Sequence, residues 1–286
     1  MKKLLIASAV ALSLSSLGAH AAVISAGGIQ WDDDLVGAGG FAGQVNFQQW
    51  FTNTATTTDD NGTAGDLTDD YQRITSDVAV AGAVGTELVG IGEFYSLNDG
   101  RAPNSLFNPA FCVTQDCELT LAFGGLIVAG IGGTGPIFDT SNAWFNVYVQ
   151  QGPDFDSLDP NDTIVNSNAH TKLTEAQNGD LWAAFNFDSF ILDGTLIGGE
   201  SEASLSIRTN SGLGLADVQT ALNYNDPALA GSDIGFTAGA TFVDNNAYTL
   251  DGNGQVIGVS VPEPSTIALF GLSLLGLAGA ARRKRG

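Results

Sequence analysis

Apolar and polar residues alternate with a period of two along the middle of this chain, and that pattern limits its fold more than any other feature. Val45, Phe47 and Phe51 share one face, with Asn46, Gln48 and Trp50 on the other. Phe145, Val147 and Val149 alternate with Trp144, Asn146 and Tyr148, and Leu181, Ala183, Phe185 and Phe187 with Trp182 and Asn186. Successive strand side chains point to opposite faces, so each run reads as a strand with one face in a core. Leu119 to Ile131 is apolar and dotted with glycine, as a strand buried on both faces would be. Further strands are expected at 84–97, 195–208, 234–242 and 255–259. The breaks carry turn chemistry: Asn98-Asp99-Gly100, Gln151-Gly152-Pro153 and Asp251-Gly252-Asn253-Gly254. Only 215–222 has helical spacing, with Leu215, Val218 and Leu222 on one face. Many strands and almost no helix predict an all-β fold, an antiparallel β-sandwich or jelly roll forming one domain over 22–260.

Both ends of the chain have a different character. Lys2 and Lys3, the apolar run Leu4 to Leu17 and Ala19-His20-Ala21 have the order of a secretory signal peptide with its small-x-small cleavage site. This predicts export by the Sec machinery of a chain starting near Ala22; a retained N-terminal membrane helix is the alternative. At the other end, Val261-Pro262-Glu263-Pro264-Ser265 precedes a run from Ile267 to Ala281 whose only polar side chain is Ser273. Arg282, Arg283, Lys284 and Arg285 follow. A transmembrane helix over 265–281 would be about 26 Å long, slightly short of a ~30 Å hydrocarbon core. The basic cluster belongs on the cytoplasmic side, which places the preceding domain outside.

This tail resembles the PEP-CTERM sorting signal of Gram-negative bacteria, over 261–286. The resemblance implies that Pro262, Glu263 and Pro264 are recognised by exosortase, a membrane-embedded cysteine protease or transpeptidase. It also implies that the helix and the cluster Arg282, Arg283, Lys284 and Arg285 hold the substrate in the inner membrane until it is processed. Proteins with this tail usually come from bacteria that build an exopolysaccharide, biofilm or floc matrix. The same tail is catalogued as a C-terminal domain of ice-binding proteins, although the tail itself binds no ice.

Charge divides along the same boundaries. The chain has 10 basic and 31 acidic residues, a net charge of −21. Without both ends, four basic residues remain (Arg73, Arg101, Lys172 and Arg208) against 30 acidic ones, a net charge of −26 for 22–260. Such a domain repels anionic surfaces, so nucleic acid is not expected as a partner. Hydrophobic content of 44% with 14% charged residues argues against disorder.

Few residues carry recognisable chemistry. Cys112 and Cys117 immediately precede an apolar strand, and in an oxidising compartment such a pair reads as a disulfide closing a hairpin loop. So small a loop contributes about 2 kcal/mol. Zinc would need four ligands, and His170 is the only histidine after the signal peptide. Gly130-x-Gly132-x-x-Gly135 fits the dinucleotide fingerprint, but a second strand follows it rather than a helix, so it reads as a glycine-rich strand end. Asp154, Asp156, Asp159 and Asp162 form one acidic loop; a second runs from Asp59 through Asp60, Asp66 and Asp69 to Asp70. Either reads as a solvated loop, with Ca²⁺ as the one metal it could hold; neither has EF-hand spacing. Paired carboxylates in a sugar cleft remain the hydrolase alternative. Thr52, Thr54, Thr56 and Thr58 recur at period two, a hint of ice binding, but beside those acids they read as a loop.

No catalytic constellation and no cofactor motif appears in the sequence. The expectation is a non-enzymatic cell-surface or extracellular matrix protein, structural or adhesive, with exopolysaccharide as a partner. The alternative is a carbohydrate- or Ca²⁺-dependent ligand-binding module. Trp50, Trp144 and Trp182 are candidate sugar-stacking surfaces on either reading, with core packing as the competing role.

Overall fold

A computed structural model describes residues 23–32, 40–53, 56–59, 71–74, 82–97, 111–113, 117–133, 135–155, 172–195, 198–209, 213–242 and 249–260. Its strands are β1 (Val23–Ala26), β2 (Ile29–Asp32), β3 (Gly40–Phe51), β4 (Thr56–Asp59), β5 (Tyr71–Ile74), β6 (Glu87–Leu97) and β7 (Cys117–Ile131). They continue with β8 (Pro136–Asp139), β9 (Trp144–Gln151), β10 (Asp180–Thr195), β11 (Gly198–Ile207), β12 (Ile234–Phe242) and β13 (Thr249–Val259). The helix α1 (Ala216–Leu222) falls where Leu215, Val218 and Leu222 predict one, and it buries Val218 and Leu222.

The all-β, antiparallel expectation holds; the sandwich does not. Eight strands pair in the order β3, β6, β7, β9, β10, β11, β12, β13, and β13 returns to pair with β3, from Asn253↔Asn46 to Val259↔Gly40. Leaving aside β4, β5 and β8, each strand pairs with the next along the chain. The result is a closed up-and-down barrel, where a sandwich or jelly roll would need two sheets. Closure pairs both edges that an open sheet would leave free. Register shifts at Gln44/Val45, Leu88/Gly90, Leu181/Ala183 and Phe187/Ser189 are the β-bulges that let strands bend around a barrel. β8 pairs only with the far end of β7, and β4 pairs with β5 in a separate ribbon. Thr56 and Thr58 therefore lie in a strand rather than the expected loop.

The lumen is filled by aromatic rings. Phe145 lies 6.4 Å from Phe123 in a stacked pair and meets Phe185, Phe187 and Phe236 at 5.9–6.4 Å. Such pairs add about 0.5–1.5 kcal/mol each beyond area burial. Glycine on neighbouring strands makes room for the rings. A Cβ on Gly254 would lie 2.7 Å from the Phe236 ring, and one on Gly252 would lie 2.5 Å from Phe47 O and 3.0 Å from its ring. This explains why Asp251-Gly252-Asn253-Gly254 is not the predicted turn: it lies inside β13, its two glycines facing the lumen. Among the described residues, an apolar void of about 20 Å³ lies near Trp31, Phe145 and Trp182. That is about the room of one water, with no polar group to hold it.

One end of the barrel is plugged. The β1–β2 hairpin is joined by 111–113 through an isolated antiparallel bridge between Ile29 and Cys112, with Gln30 N–H donating to Phe111 O (2.7 Å) and Val113 N–H to Gly28 O (3.0 Å). Trp31 and Trp182 meet edge to face at 6.0 Å, and the Trp182 indole donates to Ala26 O at 3.1 Å. Asp217, in the first turn of α1, accepts from Gly27 N–H at 2.8 Å. Cys112 and Cys117 are paired, which ties this plug to the first residue of β7.

Candidate functional site

The outer wall is polar where the inner wall is apolar. Gln44, Asn46, Asn146, Glu200, Glu202, Thr237 and Gln255 face outward from their strands, the reverse of a membrane barrel with its outward apolar band. On this wall a trough of about 570 Å³ crosses five strands. Its cause is local. The outward positions of β12 are Gly235, Thr237, Gly239 and Thr241, all small, while β11 on one side and β13 on the other carry longer side chains. The low strand becomes the floor and its neighbours the walls.

Register sets the walls in rows. Glu202, Thr237, Gln255 and Gln44 stand directly opposite one another on β11, β12, β13 and β3. The bulge at Gln44/Val45 then brings in Tyr95 of β6, whose hydroxyl donates to Gln44 Oε1 at 2.6 Å. Burial holds the Tyr95 hydroxyl above the usual tyrosine range. A second row runs Glu200, Gly239, Asn253 and Asn46. Among the described residues, no basic side chain lines the trough.

The residues singled out from sequence lie elsewhere. Asp154 is exposed and accepts from Asn178 Nδ2 at 2.8 Å; Asp156, Asp159 and Asp162 lie outside the described residues, as do Asp60, Asp66, Asp69, Asp70 and His170. Among the described residues no three His, Cys, Asp or Glu side chains gather as a metal cluster. Gly130 lies in β7 opposite Ile137 of β8, and beyond it Gly132 N–H donates to Gly135 O at 2.7 Å, so the glycines belong to a strand end and not to a helix start. Trp50 and Trp182 are 4% and 6% exposed, so neither presents a ring to a sugar; Trp144 is half-buried against the core. Core packing wins for Trp50 and Trp182, whose rings are almost wholly covered by other side chains, while Trp144 stands on the outer side of β9, partly covered.

Sequence reasoning missed Glu118, which sits on the outer side of β7 where Phe155 N–H donates to its Oε2 at 3.0 Å. Burial pushes its carboxyl up to about 7; the Phe155 and Asp154 N–H groups oppose this and the Asp154 charge adds to it. The 3₁₀ turn at Glu175–Gln177 covers the same stretch, Thr120 Oγ1 donating to Ala176 O at 2.8 Å. It missed the trough as well. The low outward face of β12 was legible in Gly235, Thr237, Gly239 and Thr241, but Gln44 and Tyr95 reach the trough from β3 and β6, far away in the sequence.

The described residues end where the sorting tail begins. Ser260 is buried, and its hydroxyl accepts from the Trp31 indole at 2.7 Å, so β2 holds the last described residue. The PEP-CTERM protein-sorting motif family matches residues 260–285. No curated protein matches the chain, and no solved structure does. The chain thus carries a PEP-CTERM sorting motif, which marks it as an exported protein sorted by exosortase through a membrane-anchored intermediate. Pro262, Glu263, Pro264, the cluster Arg282 to Arg285 and the expected membrane helix fall within this match and outside the described residues; the expected signal peptide, 1–21, also lies outside the described residues. Among the described residues no helix is long and apolar enough to cross a membrane.

Proposed function

We propose that this protein is a non-enzymatic component of the cell surface or extracellular matrix, delivered by exosortase and acting through the outer wall of its barrel. The observation that carries the reading is the sorting motif following a barrel whose lumen, among the described residues, is packed with aromatic rings. A 20 Å³ void holds no substrate, so whatever the domain contacts meets it from outside. The polar outer wall supports contact with hydrated matrix material rather than with lipid. Pro262, Glu263 and Pro264 serve in recognition by exosortase, and Arg282 to Arg285 retain the chain until processing.

The test is fractionation of cells expressing the wild type and a Pro262→Ala, Pro264→Ala double variant. The wild type is expected at the surface or in the matrix fraction, and the variant in the inner membrane as a longer species. Equal processing and release of the two would overturn the sorting half of the reading. Wild-type protein found only in the periplasm would overturn the matrix half.

A further inference from the structure

We propose that the trough over β12 is a binding site for an uncharged polysaccharide chain. Its walls are rich in groups that both donate and accept: Asn253, Gln255 and Gln44 on one side face Glu200 and Glu202 on the other. A sugar hydroxyl is also both donor and acceptor, and vicinal hydroxyls present two such groups side by side. A carboxamide matches that pattern with an N–H₂ and a carbonyl; a carboxylate accepts two hydrogen bonds. Tyr95 supplies the aromatic element, and the bond from its hydroxyl to Gln44 fixes where the ring stands. The volume, about 570 Å³, is within the range of small-ligand sites.

Other occupants fit poorly. A phosphorylated, sulfated or carboxylated ligand would meet Glu200 and Glu202, and among the described residues no lining lysine or arginine pairs with it. An extended peptide adds to a free strand edge, but every strand under the trough is paired on both sides. A helical peptide needs large apolar contacts, and the floor offers only Ala238, glycine and threonine.

Gly239 makes the inference testable. A Cβ there would meet nothing within 4 Å, and its backbone has no positive φ, so a large side chain can extend into the trough without disturbing the barrel. The experiment uses the full chain in detergent, measured for depletion by insoluble cellulose and chitin and for retardation by dextran, with alginate as the anionic comparator. Binding to at least one of the three uncharged polymers and not to alginate is expected. Gly239→Trp should weaken that binding about tenfold or more with an unchanged melting temperature. Should that variant melt lower, the Gln44→Ala, Gln255→Ala pair replaces it and the same loss is expected. No binding to any uncharged polymer, binding to alginate alone, or wild-type affinity in a folded variant would each overturn the proposal. The choice of ligand class rests on the matrix reading above. Binding to purified protein and sorting in cells are read separately, so either can fail without the other.

Discussion

Strands β12 and β13 use glycine for opposite purposes on their two faces. Inside, Gly252 and Gly254 are pressed against Phe47 and Phe236, and each missing side chain is replaced by an aromatic ring. Outside, Gly239 faces open space, and nothing replaces the side chain it lacks. An inner glycine is therefore a packing residue, whose enlargement forces rings out of place. The outer one shapes a surface. The outer wall itself is uneven: bare over β12, it is covered over β7, where 152–155 and the turn at 175–177 lie across Glu118 and Thr120.

The largest expected effect tests the filled lumen. Phe145→Ala removes the ring that meets four others, and about 3–5 kcal/mol of stability should be lost in urea unfolding. A loss below about 1 kcal/mol would mean that the lumen is not tightly packed. Next is the matched pair of glycines. Gly254→Val should cost about 1–3 kcal/mol by overpacking against Phe236, while Gly239→Ala should stay within about 0.5 kcal/mol of wild type. Similar costs at both positions would erase the contrast between the faces.

The smallest effect probes the covered part of the wall. Glu118 binds its proton more tightly folded, at about 7, than unfolded, near 4.5. The folded state therefore holds the extra proton between those values, and stability falls as pH rises from about 4.5 to about 7, then levels off. With the group about half exposed, solvent screening reduces the effect to roughly 1 kcal/mol. Glu118→Gln should flatten that part of the pH profile of unfolding; an unchanged slope would place Glu118 in water.

Much of the strand pattern was legible. Period-two alternation located β3, β9 and the first half of β10, and apolar runs located β7 and β12, because a half-buried strand must sort its side chains by face. The reading failed where a residue's partner lies far away in sequence. Gln48 and Trp50 were assigned to an outer face and are buried. The glycines of 251–254 looked like a turn because nothing local shows the rings they accommodate. The β1–β2 hairpin escaped notice because four-residue strands carry too little periodicity to register.

The sequence by itself determined the antiparallel β class, the short helix, the cysteine pair and the sorting tail, since each depends on residues close together in the chain. Only the tertiary structure decided that the sheet closes, that the lumen is full, and that the trough exists. All three depend on β13 returning to β3, which brings Gln255 beside Gln44 across more than two hundred residues. That pairing is favoured because it satisfies both edges of the sheet at once.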